Sequence, residues 1–298
     1  MKKHIKQHIL FLSISLLLLS VISIQLRSQQ EAPITLEKVA GEVYCLYGPG
    51  CNIGIFKAED VFLLVDSKYA RTADKVMEEI MKLGSQKIKF LINTHYHQDH
   101  TGGNSILGKD AQIISHKNCR SSLLKSLKPE ETAENVGAPQ KTYEKEMTLE
   151  LGEETIKLLY FGPGHTSGDT VVIFEKAKVI HAGDLFFHGM PPYIDVKDGS
   201  DTLNWILTIE KLAKEYPDYT VIPGHGKVTE MKEYVKFADY LKYLREKVAA
   251  AVKAGKTREQ AQESITFEKF SHINDWGTFL TKKENVGWVY DEMTRKQK

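Results

Sequence analysis

An apolar run that ends in a cluster of ligand-type side chains restricts the fold of this chain more than any other feature. "KIKFLINT" (87–94) has the length and β-branched content of a buried strand, and it delivers the backbone directly to His95. His95, His97, Asp99 and His100 then fall within six positions, in a chain of 298 residues with 11 histidines, so chance crowding does not account for them. Burying four such groups without a metal would leave polar atoms unpaired. Neutral imidazole and carboxylate both suit zinc, and four of them in this spacing can feed two adjacent ions. The chain must therefore fold so that other ligands reach this strand end.

Further strands end in the same way. His165 lies in "GPGHTSGD", Asp184 in "HAGDLFF", His225 in "IPGHG" and Asp66 in "FLLVDS". Glycines beside several of these positions let the backbone approach closely. "EVYCLY", "NIGIFKA", "VFLLVDS", "AQIIS" (111–115), "ETIKLLYF" (154–161), "DTVVIFE" (169–175), "KVIHAGD" (178–184) and "YTVIPGH" (219–225) read as strands. Helical spacing appears at Ala73, Val76, Met77, Ile80 and Leu83, stopped by Gly84. A second helix is expected after Ser200 as N-cap, with Leu203, Ile206, Ile209 and Leu212 on its buried face. From Tyr234 to Val252 the pattern predicts a long amphipathic helix ending near Gly255, and "TREQ" (257–260) reads as a capping box. Trp276, Phe279, Leu280 and Trp288 punctuate the tail.

The first thirty residues stand apart. A basic "MKKHIKQ", an uncharged apolar "HILFLSISLLLLSVISI" and a small, polar exit have the order of a secretory signal peptide, with cleavage expected after Ser28. An uncleaved membrane anchor is the alternative. Cleavage removes Lys2, Lys3, Lys6 and Arg27 and no acid, taking the formal net charge from +1 to −3. An acidic mature chain lacks the basic footprint of nucleic-acid binding. The expected partner is a small-molecule substrate, with no nucleic acid and no stable membrane partner after cleavage, in a periplasmic or secreted protein. Cys45 and Cys51 flank "LYGPG", and in an exported chain they either form a disulfide across this turn or remain free thiols; Cys119 is then unpaired.

The motif set resembles that of the metallo-β-lactamase superfamily. HxHxDH is present as His95, His97, Asp99 and His100, and Asp66, His165, Asp184 and His225 complete the family's five motifs in order, over about residues 35 to 245. The resemblance implies an α/β fold, a four-layer αββα sandwich with two mixed sheets face to face, helices outside and a metal site at one edge. The chain then divides into a signal peptide (1–28), the metallo-β-lactamase-fold domain (29–245) and a C-terminal helical extension packed on the core (246–298).

The resemblance also implies two zinc ions per chain, with iron as the alternative. His95, His97 and His165 would bind the first, Asp99, His100 and His225 the second, and Asp184 would bridge both. Asp66 would orient the ligand loop by hydrogen bonds, and Asp99 and Asp66 are the residues expected to assist catalysis. "YGPGCNIG" resembles the family's hairpin over the active site, so Tyr47 and Cys51 are expected to touch substrate, and His188 in the following pocket loop is a third candidate. His116, His181 and His272 are expected to be core or surface residues. The main class of zinc β-lactamases carries Cys where this chain has Asp184, whereas glyoxalase II-like and lactonase-like members carry the carboxylate. The implied activity is metal-activated hydrolysis of an ester, lactone or amide. A mononuclear iron dioxygenase of the persulfide-oxidising type and a glyoxalase II-type thioester hydrolase are the alternatives.

Overall fold

The computed structural model describes residues 32–85 and 87–295. The expected signal peptide lies outside them. Among the described residues no helix is long and apolar enough to cross a membrane.

Seven strands form a first sheet in chain order: β1 (Thr35–Ala40), β2 (Val43–Tyr47), β3 (Ile53–Lys57), β4 (Val61–Val65), β5 (Lys87–Asn93), β6 (Gln112–His116) and β7 (Lys141–Tyr143). Antiparallel pairing joins β1 to β4, and from β4 onward the strands run parallel. The second sheet contains β8 (Glu146–Leu151), β9 (Glu154–Leu159), β10 (Val171–Phe174), β11 (Val179–Phe187), β12 (Thr220–His225) and β13 (Thr229–Glu230), with β11 and β12 its one parallel pair among the described strands. Both sheets are thus mixed.

Alternation along the strands sets the layers. In β4, Leu63 and Val65 face the second sheet, where Ile156, Leu158, Val172 and Phe174 meet them. Phe62 and Leu64 point outward onto α1 (Ala73–Met81), against Ala73, Val76 and Ile80. A strand buried on both faces reads as a continuous apolar run, and "VFLLV" is one. Three short helices follow at the sheet edge, α2 (Gln98–Thr101), α3 (Asn104–Leu107) and α4 (Lys117–Lys125). The outer face of the second sheet is covered by α5 (Thr202–Glu215) and α6 (Met231–Lys253), through Trp205, Ile209, Tyr234, Leu241 and Leu244. The order helix, sheet, sheet, helix is the αββα sandwich.

The C-terminal segment joins the same apolar layer. α7 (Arg258–Ser264) opens with a capping box between Thr257 and Gln260, and α8 (Lys282–Thr294) contributes Val286 and Val289 to the core above the second sheet. α6 runs without a break across residue 245.

Several local expectations need correction. The N-cap of α5 is Asp201, whose carboxylate accepts from the amides of Leu203 and Asn204; Ser200 is buried one position earlier. Leu203 is exposed, and the buried stripe runs through Trp205, Ile206, Ile209 and Leu212. Cys45 and Cys51 are free and buried. The ladder of β2 and β3 places Cys45 opposite Gly54, and Cys51 lies beyond the last paired residues, so the two do not face each other across the hairpin. β1, β7, β8 and β13 add to the strands read from sequence; β1 is a half-exposed edge whose apolar Leu36, Val39 and Ala40 do not alternate regularly.

Candidate metal centre

Parallel pairing aligns strand ends, which is why the ligands converge. Val65 of β4 pairs with Ile92 of β5, so Asp66 and Thr94 emerge side by side. Asp66 adopts a left-handed backbone conformation (φ +68°), which ends the strand and turns its side chain toward the neighbouring loop. Its Oδ1 accepts from the Thr94 amide at 2.8 Å, and Oδ2 accepts from the Thr94 hydroxyl and from His100 Nδ1, both at 2.8 Å. His95 lies in the bend that follows β5, His97 is in extended backbone, and α2 then turns Asp99 and His100 inward.

Asp184 sits inside β11, where the register with β12 shifts around Gly183. Gly183 has φ +52°, and a β-carbon there would stand 2.7 Å from Thr94 Cβ. Gly224 is equally constrained, because a β-carbon on it would lie 2.0 Å from Asp184 Oδ1. These two glycines let sheet one and β12 close on the carboxylate.

Second partners fix which nitrogen of each imidazole points inward. Thr94 Oγ1 lies 3.1 Å from His95 Nδ1, Asp195 Oδ2 lies 3.0 Å from His97 Nε2, and the Tyr193 carbonyl lies 2.8 Å from His165 Nδ1. With those nitrogens donating, His95 Nε2, His97 Nδ1 and His165 Nε2 carry lone pairs, and they face one another at 3.0 and 3.1 Å. Asp184 Oδ2 completes the group, 3.7 Å from His95 Nε2 and 3.5 Å from His165 Nε2. Around zinc, ligand bonds of about 2.0–2.1 Å in a tetrahedron give ligand–ligand edges of about 3.4 Å. The spacing fits.

A second group lies beside the first. Asp184 Oδ1 is 3.1 Å from His100 Nε2 and 3.4 Å from His225 Nε2, and Asp99 Oδ2 is 3.3 Å from His225 Nε2. His100 Nε2 and Asp184 Oδ1 are buried and have no hydrogen-bond partner, although they lie 3.1 Å apart. Buried polar atoms left this way demand a partner, and a cation supplies one. The residues present fit two metal ions.

The charges agree with this arrangement. Burial brings His165 down to about 4, against the pull of Asp184, so it is a neutral ligand at ordinary pH. Burial also lowers the pKa of His225, but Asp184 and Asp99 outweigh it and hold the imidazole at about 9. Carboxylates that would otherwise keep a proton there are the natural counter-charge for a metal ion.

A sequence profile described as the metallo-beta-lactamase superfamily matches residues 46–225. The chain belongs to that superfamily. It is a superfamily of metal-dependent hydrolases, and this chain is an enzyme of that class. A type 2 metallo-beta-lactamase of Elizabethkingia meningoseptica is 26% identical over 208 residues, covering 66% of this chain and 80% of that protein. A probable metallo-hydrolase of Methanocaldococcus jannaschii is 29% identical over 180 residues, covering 56% and 83%. In three dimensions a metallo-beta-lactamase of Pontibacter korlensis superposes with a TM-score of 0.61 over 70% of this chain and 99% of that one, at 19% identity. That likeness shows the fold.

Of the other residues singled out in this metallo-β-lactamase-fold chain, Cys51 is fully buried beside Asp66 and His100, under its loop, and presents no surface to a substrate. Tyr47 is half-buried against the inter-sheet core, its hydroxyl accepting from the Val228 amide at 3.3 Å. His188 is half-buried, its Nδ1 2.7 Å from the Lys227 carbonyl beside the His225 turn. His116 caps α4 and stacks on Tyr160, His181 is buried in β11, and His272 is exposed.

Three positioning residues were missed from sequence. Asp195, at the end of "PPYID" (191–195), holds His97. Asp169 accepts from the amides of Gly164 and Thr166 and from the Thr166 hydroxyl, shaping the loop that carries His165. Asn52 donates to the carbonyls of Pro223 and Gly226, at 2.9 and 2.8 Å, and clamps the His225 turn to the first sheet. An acid four residues after His165 was a readable signal; Asn52 had none.

Proposed function

We propose that this enzyme is an exported dinuclear zinc hydrolase that cleaves an ester, lactone or amide bond of a small molecule. The observation that carries the reading is the division of Asp184, whose Oδ2 faces the three-histidine group and whose Oδ1 faces His100 and His225. A carboxylate shared between two sets of lone pairs fits two ions better than one, which favours zinc hydrolysis over a mononuclear iron dioxygenase. When bound, such a metal pair polarises a substrate carbonyl and lowers the pKa of water toward neutrality.

The chain's own residues do the rest. His97, Asp99 and His225 are the ligand side chains that reach solvent, at 18%, 21% and 20% exposure, so substrate approaches across them. Asp99 is held ionised: burial raises its pKa, but His100 and His225 outweigh this and bring it below the usual carboxylate range. At the mouth, that carboxylate orients an attacking water by accepting its hydrogen bond. Asp66 keeps His100 and Thr94 fixed while this happens.

Metal analysis of the purified mature protein tests the proposal, with a panel of small esters, lactones, a thioester and a β-lactam run on the same sample. Two zincs per chain with turnover of an ester or lactone is the expected result. One iron and oxygen-dependent turnover would replace it with the dioxygenase. Export is tested by N-terminal sequencing of protein from outside the cytoplasm, expected to begin near Gln29; an intact Met1 on exported protein would make the segment an anchor.

A further inference from the structure

We propose that the C-terminal segment completes the substrate pocket, with Phe279, Trp288 and Tyr193 forming an aromatic subsite beside His97 that takes an apolar acyl or aromatic part of the substrate. The inference deepens the hydrolase reading and rests on it. Tyr193 is the hinge of the argument. Its ring lies 5.4 Å from His97 and 5.9 Å from His165 on one side, and 5.2 Å from Phe279 and 5.0 Å from Trp288 on the other. Phe279 and Trp288 are themselves 5.3 Å apart. A continuous aromatic surface therefore runs from a ligand at the mouth of the metal centre into the extension.

This surface is open but fixed. Phe279 is 56% exposed and Trp276 66%. Large exposed aromatics at one place mark a site of contact. The loop bearing them is pinned: the Asn274 amide donates to the Gly189 carbonyl at 3.0 Å, Trp276 and Leu280 form a backbone bridge, and the Lys282 amide donates to Asp275 at 2.9 Å. From α8, Asn285 donates to the Pro192 carbonyl at 2.7 Å and accepts from the Tyr240 hydroxyl at 2.8 Å. The extension thus grips the 189–195 loop, which carries both Tyr193 and the His97 partner Asp195. A pre-set aromatic face beside reacting groups costs no ordering when a ligand arrives. Rings offer apolar contact area, so the moiety they take is apolar.

The test uses the full-length, zinc-loaded enzyme with p-nitrophenyl acetate, butyrate and octanoate. The expected wild-type kcat/KM rises with acyl length, mainly through KM, by roughly two- to fourfold for each methylene the subsite covers. Phe279→Ala and Trp288→Leu should lower the octanoate value about tenfold and the acetate value much less. Met81→Ala, which removes an exposed apolar side chain on α1, should leave the series unchanged. Wild-type values independent of acyl length, or variants with an unchanged octanoate-to-acetate ratio, would overturn the proposal. So would a chain that self-associates through this face and loses the dimer, but not the ratio, in Phe279→Ala. Decanoate binding, followed by tryptophan fluorescence, keeps the two readings apart. If no ester, lactone or amide is turned over, the hydrolytic reading fails, and the subsite stands only if decanoate binds wild type about tenfold more tightly than Phe279→Ala.

Discussion

His97 turns its Nε2 to Asp195 Oδ2 at 3.0 Å and its Nδ1 into the ligand cluster. The carboxylate fixes the tautomer, so the lone pair is on the nitrogen that faces inward. Burial raises the pKa of Asp195, but hydrogen bonds from His97 and Tyr96 outweigh it and keep the group ionised. Replacing an outer partner of this kind costs about 10–100-fold in metal affinity or activity. Asp195→Ala is therefore expected to lose one metal to a chelator at a concentration that wild type resists, with the fold intact by circular dichroism. Tyr96→Phe, which removes only the second donor to the same oxygen, should show a smaller loss. Equal chelator resistance of Asp195→Ala and wild type would remove Asp195 from the positioning role.

Asp184→Asn tests the bridge. The amide preserves shape but replaces one anionic oxygen with a donor facing lone pairs on the other ligands. Metal content should fall from two toward one per chain, and turnover by at least about a hundredfold, roughly 3 kcal/mol of barrier. A variant with both metals and full activity would show that another residue joins the two groups.

The ligands themselves were legible because each lies in a local pattern that follows or closes an apolar run, from His95 through His225, although β11 does not end at Asp184 but continues to Phe187, and His165 stands in the loop beyond β9. Their partners were less so. Asp195 reaches His97 across nearly a hundred residues, through a loop whose course no periodicity encodes. Asn52 acts through backbone carbonyls of Pro223 and Gly226, contacts that any sequence could offer. On α5 Ile206, Ile209 and Leu212 are buried as expected, and only Leu203 was misplaced, for a simple reason. Leu203, Ile206, Ile209 and Leu212 share a spacing that a helix satisfies, but tertiary packing selects Trp205, whose indole donates to the Leu185 carbonyl at 2.7 Å, and turns Leu203 to solvent. Whether Cys45 and Cys51 are bridged or free was open for a related reason, since proximity in sequence across a turn says nothing of where the ladder ends.

Gly54 and His181 meet between the two sheets. A β-carbon on Gly54 would lie 2.7 Å from His181 Cδ2 and 3.3 Å from Val65 Cβ, and both β3 and β11 are interior strands with little room to shift. Gly54→Ala is expected to destabilise the fold by about 1–3 kcal/mol through overpacking. Urea denaturation measures it. If Gly54→Ala unfolds at the wild-type midpoint, the sheets are looser there than the contact implies.

His181 should make stability depend on pH in a defined direction. Its Nδ1 accepts from the Gly183 amide at 3.2 Å, so Nε2 carries the proton, and that N–H is buried without a partner. Burial lowers its pKa to about 4 from 6.5, against the opposing pull of Asp66. Between those values the unfolded chain binds the proton and the folded one does not. The histidine's contribution is thus fully present above pH 6.5 and is lost as pH falls through 4, amounting to about 3 kcal/mol over the window. His181→Gln removes the titrating group, so its stability should fall less steeply on acidification than that of wild type. Urea midpoints at intervals from pH 4 to 7, in metal-free protein so that ligand release does not contribute, give the comparison. The stability difference, wild type minus variant, should shrink toward low pH. A constant difference across the range would mean that His181 takes up its proton inside the fold as readily as outside it.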